Sequence, residues 1–253
     1  MDDKKMRDNL LNSKERLVDL LINGFKLIQN DDYFCFAVDA VLLANFCQPG
    51  DNSRVIELGT ATGVIPHLVY GKNKIEEIIG IDIQADLISM AKRSSQYNDI
   101  ADKLKFYQLD LRKAVDFFGV ESFDYLISNP PYFKAGSGKV SSNQSRALAR
   151  YELKCNLEQI IKVSKDLLKF KGKAAFIYRT QRLAELLSLM EKYNLRAKRL
   201  QMIYPDKNSE AKLFLVEAQK GANTGLEVLP PLILNKQDGE YTVEIKELFY
   251  PEG

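Results

Sequence analysis

From residue 54 onward, short apolar runs alternate with amphipathic stretches, and this alternation limits the possible folds more than any other feature of the sequence. The apolar runs have the length and composition of buried strands, and the stretches between them repeat apolar residues at helical spacing. Predicted strands cover residues 54–58, 77–82, 105–110, 123–128 and 173–178. Predicted helices cover residues 64–70, 84–98, 156–169 and 181–193. The alternation predicts an α/β fold with a doubly wound, mostly parallel sheet.

The last third of the chain departs from this alternation. Two strand-like runs, at residues 196–204 and 213–219, are joined by a polar turn with no helical pattern between them. They predict an antiparallel C-terminal strand pair that brings the sheet to seven strands. Beyond them, Pro230 and Pro231 interrupt an apolar run, and another run at residues 241–245 follows a turn. This tail predicts a small edge hairpin or an extended segment.

The N-terminal segment predicts an extension of the sheet domain. Residues 1–13 are highly charged, which is typical of a frayed tail. Residues 25–29 and 33–35 flank a polar turn and predict a short hairpin, and a helix is expected from Asp39. The expected division is therefore an N-terminal extension over residues 1–48, packed on one domain over residues 49–253.

Charge and cysteine content exclude several functions. The chain has 36 Lys and Arg against 34 Asp and Glu, so any contact with nucleic acid must be a local patch rather than a basic coat. Its three cysteines, Cys35, Cys47 and Cys155, are too few and too scattered for a disulfide framework or a metal site. Because there is no signal peptide and no long apolar run, we expect a cytoplasmic protein without membrane, metal or obligate protein partner.

A glycine turn follows the first strand of the alternation. Gly59 and Gly63 are spaced Gly-x-x-x-Gly, and such glycines let the backbone approach a ligand closely. The turn lacks the Gly-x-Gly-x-x-Gly pattern that binds a pyrophosphate. It therefore favours a nucleoside without a diphosphate over a dinucleotide, and a tight connection without a ligand is the alternative.

Two acidic residues stand at the ends of the next predicted strands. Asp82 comes about 20 residues after the glycine turn, where a carboxylate can accept two hydrogen bonds from a ribose diol. Asp110 repeats this placement one strand further on and would face an adenine amine. Either residue could instead cap the helix that follows it, and the sequence leaves both interpretations open.

The most specific motif is Asn129-Pro130-Pro131-Tyr132, at the end of the predicted strand 123–128. Two prolines stop the strand and fix the backbone, so the Asn129 amide and the Pro130 carbonyl are predicted to be held rigidly as a pair of acceptors. The Tyr132 ring would offer a surface for a planar amine substrate, and such stacking is worth ~1–3 kcal/mol for a nucleobase. A structural turn with a buried tyrosine is the alternative.

These motifs resemble those of the class I S-adenosylmethionine-dependent methyltransferases, in the branch whose Asn-Pro-Pro-Tyr motif serves to methylate planar amino groups. Residues 34–46 and 149–152 further resemble the bacterial tRNA(Val) adenine-N6 methyltransferases, which modify the adenine 3′ of the anticodon. The resemblance implies a Rossmann-like fold with S-adenosylmethionine as cofactor, although Ala61 stands where the class usually has a glycine. The cofactor-binding residues that it implies are Asp39, Glu57, Gly59, Thr60, Gly63, Asp82, Ile83, Asp110, Leu111 and Asn129.

The resemblance also implies a mechanism. The Asn129 side-chain oxygen and the Pro130 carbonyl would accept the two N–H bonds of an exocyclic adenine amine and aim its lone pair at the sulfonium methyl. Positioning is then the main contribution, and His67, the only histidine, is expected to be merely packed or solvated. The catalytic residues implied are Asn129, Pro130, Pro131 and Tyr132.

An adenine inside a helix could not reach such a site, so the target must be flipped out or already lie in a single-stranded loop of the tRNA. Basic residues cluster around a low-complexity stretch, residues 134–144, which predicts a functional loop. The candidate RNA contacts are Tyr132, Phe133, Lys134, Lys139, Arg146 and Arg150. A plain solvated loop is the alternative, and for Asp39 the alternative to a place near the methionine end of the cofactor is a helix N-cap.

Three other functions stay open from the sequence. A protein glutamine N5-methyltransferase would use the same motif, but members of that type carry a helical domain ahead of the glycine turn, where this chain has only about 50 residues. An RNA guanine-N2 methyltransferase is equally compatible with the motif. The non-enzymatic alternative is an RNA-binding module that has kept the fold and lost turnover.

Overall fold

The computed structural model describes residues 10–33, 38–130 and 155–249, and the elements below lie in these ranges. The strands are β1 (Glu15–Asp19), β2 (Lys26–Asn30), β3 (Arg54–Leu58), β4 (Glu77–Asp82), β5 (Leu104–Gln108), β6 (Phe123–Ser128), β7 (Leu168–Arg179), β8 (Leu195–Tyr204), β9 (Leu213–Lys220), β10 (Glu227–Val228) and β11 (Leu232–Ile233). The helices are α1 (Val38–Phe46), α2 (Val64–Lys72), α3 (Ala85–Tyr97), α4 (Ala114–Phe118), α5 (Leu157–Leu167), α6 (Leu183–Lys192) and α7 (Val243–Phe249).

One sheet of nine strands forms the centre of the described structure. Its order is β5-β4-β3-β6-β7-β9-β8, with the short strands β10 and β11 both paired to β8. Strands β3 to β7 are mutually parallel, and β9 is antiparallel to both β7 and β8. The α/β prediction and the antiparallel C-terminal pair are confirmed, but the short strands β10 and β11 bring the sheet to nine strands where seven were predicted. Because the winding direction reverses between β3 and β6, the crevice beyond their carboxyl ends is where a sheet of this kind binds ligands.

Helices cover both faces of this sheet, because its central strands bury apolar side chains on both faces. Val55 and Ile56 are adjacent in β3 and both are fully buried, yet they belong to core clusters on opposite faces. Helices α1 and α2 pack with Val55, and α5 packs with Ile56. In the described ranges, no helix has both the length and the apolar character that crossing a bilayer would require.

The N-terminal hairpin differs from the prediction. β1 pairs antiparallel with β2, with Glu15 opposite Asn30, whereas Tyr33 lies in the turn after β2. The partner of β2 is thus the upstream strand β1, and of the segment predicted to pair with residues 25–29, residues 34 and 35 lie outside the described residues. Leu10 and Leu11 pack against the same core cluster as this hairpin, so the described end of the tail is not frayed. The division between an extension and a domain at residue 49 stays a prediction.

The C-terminal tail also differs from the prediction. Residues 241–245 were expected to be extended, but the chain forms helix α7 from Val243. The Thr242 carbonyl accepts the N–H of Lys246 at 3.0 Å, and Ile245 is fully buried at a helical spacing from Leu248. The predicted hairpin is present only as a short antiparallel bridge between Asn235 and Tyr241, across which the Thr242 N–H donates to the Leu234 carbonyl at 2.9 Å. Strands β10 and β11 each run parallel to β8.

Candidate active site

The glycine turn between β3 and α2 is tied to the neighbouring strand β4. The N–H groups of Gly59 and Thr60 both donate to the Ile81 carbonyl at 2.9 Å. Gly59 has φ +78°, and a Cβ placed on it would meet no atom within 4 Å. Glycine is therefore needed there for its backbone angle, and the space in front of the turn is open to a ligand.

Asp82, at the end of β4, acts both on the glycine turn and on the next helix. Its Oδ2 accepts the N–H of Ala61 at 3.0 Å, and its Oδ1 accepts the N–H of Gln84 at 2.9 Å, just before α3 begins. Burial raises the pKa of this carboxyl above its ordinary value. The N-cap of α3 is Gln84, which no side chain caps, so Asp82 holds the residue before the helix and is not its cap; diol binding by Asp82 stays a prediction.

Glu57, in β3, is hydrogen-bonded to the glycine turn. Its side chain is only 1% exposed, and its Oε2 accepts the hydroxyl of Thr60 at 2.6 Å. Burial raises the pKa of Glu57 to about 8. The Glu57 carboxyl therefore fixes the Thr60 side chain in the turn by a hydrogen bond.

Asp110 follows β5 by two residues and accepts the backbone N–H of Arg112 at 3.0 Å as the cap of a short 3₁₀ turn. The Arg112 guanidinium also contacts both carboxylate oxygens, and it lowers the pKa of Asp110. Strand β5 ends at Gln108, two residues earlier than predicted. The capping interpretation of Asp110 therefore describes what this side chain does in the structure.

Two apolar side chains accompany the acids at this edge. Ile83 directly follows Asp82 and is 38% exposed, although isoleucine is usually buried. Leu111 directly follows Asp110 and is half-buried. An exposed aliphatic side chain beside a carboxylate suits a nucleoside, whose base is flat and apolar on its faces while its ribose is polar.

Strand β6 delivers Asn129 and Pro130 to the same edge. The Ser128 hydroxyl donates to the Leu58 carbonyl at 2.9 Å, which joins the last residues of β6 and β3. Asn129 is half-buried and Pro130 is buried, so the motif begins at the crevice between these two strands. The remaining motif and RNA-contact candidates lie outside the described residues: Pro131, Tyr132, Phe133, Lys134, Lys139, Arg146 and Arg150.

Asp39 and His67 are both buried in helices near the glycine turn. Asp39 lies in the first turn of α1, where its Oδ1 accepts the N–H of Ala40 at 2.9 Å. The Nδ1–H of His67 donates to the Gly63 carbonyl at 2.7 Å, and burial lowers its pKa to about 4. His67 is thus a neutral, packed residue, and of the two expectations for it the packed one is confirmed.

Sequence reasoning missed the support that Phe106 gives to the turn. A Cβ on Gly80 would lie 2.6 Å from Phe106 and 2.6 Å from the Thr60 hydroxyl oxygen, and a Cβ on Gly63 would lie 2.8 Å from the same ring. The ring therefore fills the space that these glycines leave. A glycine inside an apolar strand marks such a close approach, and Gly80 between Ile79 and Ile81 was that signal.

Comparison with known proteins places this geometry in a family. The family described as "Methyltransferase domain" matches residues 49–232. A tRNA1(Val) (adenine(37)-N6)-methyltransferase of Porphyromonas gingivalis is 27% identical over 242 residues, which cover 91% of this chain and 94% of the relative.

Two solved structures are similar in fold. A crystal structure described as a predicted O-methyltransferase, from Agrobacterium tumefaciens, has a TM-score of 0.66 at 21% identity and covers 83% of this chain and 95% of that one. A geranyl diphosphate C-methyltransferase from Streptomyces coelicolor, solved with S-adenosyl-L-homocysteine, has a TM-score of 0.53 at 11% identity and covers 72% and 74%. Since the family match spans more than half of the chain, this protein belongs to the methyltransferase-domain family.

Proposed function

We propose that this protein transfers a methyl group from S-adenosylmethionine to the N6 amine of an adenine in RNA. The observation that carries the proposal is the position of Asn129-Pro130 directly after β6, joined through Ser128 to the end of β3 and the glycine turn. In a methyltransferase this places two amide oxygens beside the cofactor crevice. Their geometry suits an NH2 group whose two hydrogens need acceptors.

The cofactor is S-adenosylmethionine, which supplies an activated methyl group on a sulfonium sulfur. Gly59 would let the cofactor approach the backbone of the turn, the Asp82 carboxylate would accept hydrogen bonds from its ribose, and Ile83 would cover its base. The Asp110 carboxylate already holds Arg112, so we assign it the weaker role of shaping the base pocket. These assignments rest on the placement of all four residues at one edge of the sheet.

Asn129 and Pro130 act on the substrate amine. By accepting its two N–H bonds, their oxygens hold the nitrogen with its lone pair directed at the methyl carbon. The nitrogen then forms a bond to that carbon as the carbon–sulfur bond breaks, and the nitrogen releases one proton to solvent. No strong base is required, because the amine becomes acidic once it is methylated and cationic.

The finer substrate assignment is the adenine 3′ of the anticodon in tRNA. The name of the Porphyromonas gingivalis relative supports it, and the anticodon loop offers an unpaired base that needs little unstacking. The basic candidates from Lys134 to Arg150 would contact the phosphates of that loop. A tRNA substrate places the reaction in the cytoplasm.

The test is methyl transfer from radiolabelled S-adenosylmethionine to tRNA from a strain that lacks the corresponding gene, followed by nucleoside analysis. We expect N6-methyladenosine at the position 3′ of the anticodon. Labelled N2-methylguanosine, or labelling of a release-factor peptide in place of tRNA, would replace the proposal by one of the two other methyltransferase functions. Cofactor binding without any labelling would leave only an RNA-binding module.

A further inference from the structure

The N-terminal hairpin, formed by β1 and β2, packs along helix α3. At the far end of α3, the Asn98 side chain accepts the N–H of Lys26 at 2.9 Å and donates to its carbonyl at 2.8 Å. One turn earlier, the Ser94 hydroxyl oxygen accepts the N–H of Ile28 at 2.9 Å. Side chains of α3 therefore satisfy the edge of β2 that β1 leaves unpaired.

An ion pair fixes the middle of this contact. The Arg93 guanidinium donates to both carboxylate oxygens of Glu15, with an Nη2 to Oε1 distance of 2.8 Å. Both side chains are largely buried, and the Arg93 guanidinium lowers the pKa of Glu15. A bidentate pair of this kind restricts the hairpin to one orientation on the helix.

The third contact between the hairpin segment and α3 lies at the first turn of this helix, next to the proposed cofactor-binding residues Asp82 and Ile83. The Tyr33 hydroxyl donates to Oδ2 of Asp86, in the first turn of α3, at 2.5 Å across 53 residues of sequence. The Asp86 carboxylate raises the pKa of Tyr33 to about 12, so the hydroxyl keeps its proton at physiological pH. Asp86 is four residues beyond Asp82 on the same short segment.

An apolar contact joins the hairpin to the glycine turn itself. Leu87 and Met90 of α3 form a buried cluster with Ile28 of β2, and Ala61 packs against this cluster from the turn. The backbone N–H of Ala61 is in turn held by Asp82. The hairpin, the first turns of α3 and the cofactor turn therefore form one contiguous unit.

We propose that Tyr33 is a positioning residue for the methyl donor: its bond to Asp86 fixes the first turn of α3, and with it Asp82 and Ile83, in the arrangement that binds the cofactor. This inference rests on S-adenosylmethionine as the proposed cofactor. Tyr33 also lies five residues before Val38, and that length of chain spans at most about 17 Å. The same bond therefore limits where the chain can enter α1, which carries Asp39.

The test compares S-adenosylmethionine binding to the full-length wild-type protein and to Tyr33→Phe by calorimetry. We expect the dissociation constant to rise about three- to tenfold, as for the loss of one hydrogen bond of ordinary net strength. The KM for the donor should rise in parallel, while kcat at saturating donor stays within about twofold. Asp86→Ala should match Tyr33→Phe, the double variant should be no weaker than either, and Asp86→Asn, which keeps an acceptor, should restore most of the affinity.

The matched control is Tyr193→Phe. The Tyr193 hydroxyl donates to Glu158 at 2.9 Å, so this variant also removes a tyrosine–carboxylate bond, but between α5 and the end of α6. We expect it to leave donor affinity unchanged. If Tyr33→Phe lowers the melting temperature and binds the donor as tightly as the wild type, Tyr33 is only structural and the inference is overturned. A wild type that binds no donor would instead overturn the proposed function, and this inference with it.

Discussion

The backbone N–H of Ala61 donates to the Asp82 carboxylate at 3.0 Å, and this bond holds the glycine turn against the end of the neighbouring strand. Ala61 has φ +48°, a left-handed backbone angle that costs an L-residue roughly 1–2 kcal/mol. The sequence presents ribose binding and helix capping by Asp82 as alternatives. The structure shows that the Asp82 carboxylate holds both the turn and Gln84, the residue before α3, without capping the helix, so it fixes the shape of the proposed cofactor site.

Replacement of Asp82 by alanine should above all weaken the binding of the cofactor. Asp82→Ala removes the proposed ribose acceptor and frees the N–H of Ala61, so we expect S-adenosylmethionine affinity to fall at least about tenfold. Loss of the carboxylate's bonds to the N–H groups of Ala61 and Gln84 should lower the free energy of unfolding by about 1 kcal/mol or more. Calorimetry and urea denaturation measure the two effects. Unchanged donor affinity would return Asp82 to a purely structural role.

Alanine substitutions at Gly59 and Gly63 should affect cofactor binding and protein stability to different extents. Gly63→Ala places a Cβ 2.8 Å from Phe106 at φ +79°, so we expect the free energy of unfolding to fall by more than about 2 kcal/mol. Gly59→Ala meets no neighbouring atom, so it should cost only about 1 kcal/mol, but its methyl group enters the open space in front of the turn. Donor affinity should therefore drop in Gly59→Ala out of proportion to its stability. If both variants lose affinity only as far as they lose stability, that space is not the cofactor site.

Glu57 should make the protein less stable as the pH rises. Burial raises its pKa from 4.5 to about 8, so between these values the folded protein holds a proton that the unfolded chain releases. The stabilisation is complete below pH 4.5 and is lost as the pH rises through about 8. In Glu57→Gln this dependence is absent, while the amide oxygen can still accept the Thr60 hydroxyl.

Urea denaturation of both proteins at several pH values from about 5 to 8 measures this effect. The stability of Glu57→Gln relative to the wild type should increase across that range, with a slope of up to about 1.4 kcal/mol per pH unit. Ionisable groups common to both proteins cancel in the difference. Parallel stability curves would mean that Glu57 is already charged at pH 5.

Asn129→Ala should bind the cofactor as tightly as the wild type but lose most of its methyl-transfer activity. The variant removes one of the two oxygens proposed to hold the substrate amine, so turnover on tRNA should fall about a hundredfold or more at saturating donor. Single-turnover methylation and donor calorimetry distinguish the two properties. Asn73→Ala is the control. The Asn73 side chain donates a hydrogen bond to the Val69 carbonyl near the end of α2, so this variant also removes an asparagine amide. Undiminished turnover in Asn129→Ala would remove Asn129 from the site.

The strands around the site could be predicted because they are buried on both faces. The bounds of β3, β4 and β6 match the prediction, since continuous apolar runs there end at turn-forming or polar residues. The partner of β2 could not be predicted in this way, because pairing depends on a strand farther upstream and on the side chains of Ser94 and Asn98, which cover the opposite edge.

The positions of the acidic residues near the ends of strands were largely predictable, but the partners of their side chains were not. Glu57 lies one residue before the end of β3, as expected, whereas Asp110 lies two residues beyond the end of β5. Glu57 nevertheless turns under Thr60, and Asp110 is held by a guanidinium only two residues away. Such outcomes depend on local competition for hydrogen bonds, which the spacing of residues in a sequence does not reveal.

The outer edge of β8 has one further consequence. The short strands β10 and β11 each pair with a different part of β8. In the segment that joins β10 to β11, the Pro230 carbonyl accepts a hydrogen bond from the Gln201 side-chain amide at 2.9 Å. The sheet therefore ends on two short, proline-separated segments rather than on a ten-residue strand with open backbone groups. Because prolines have no N–H to offer a neighbour, this border is a poor template for an incoming chain, and it protects the molecule from edge-to-edge aggregation.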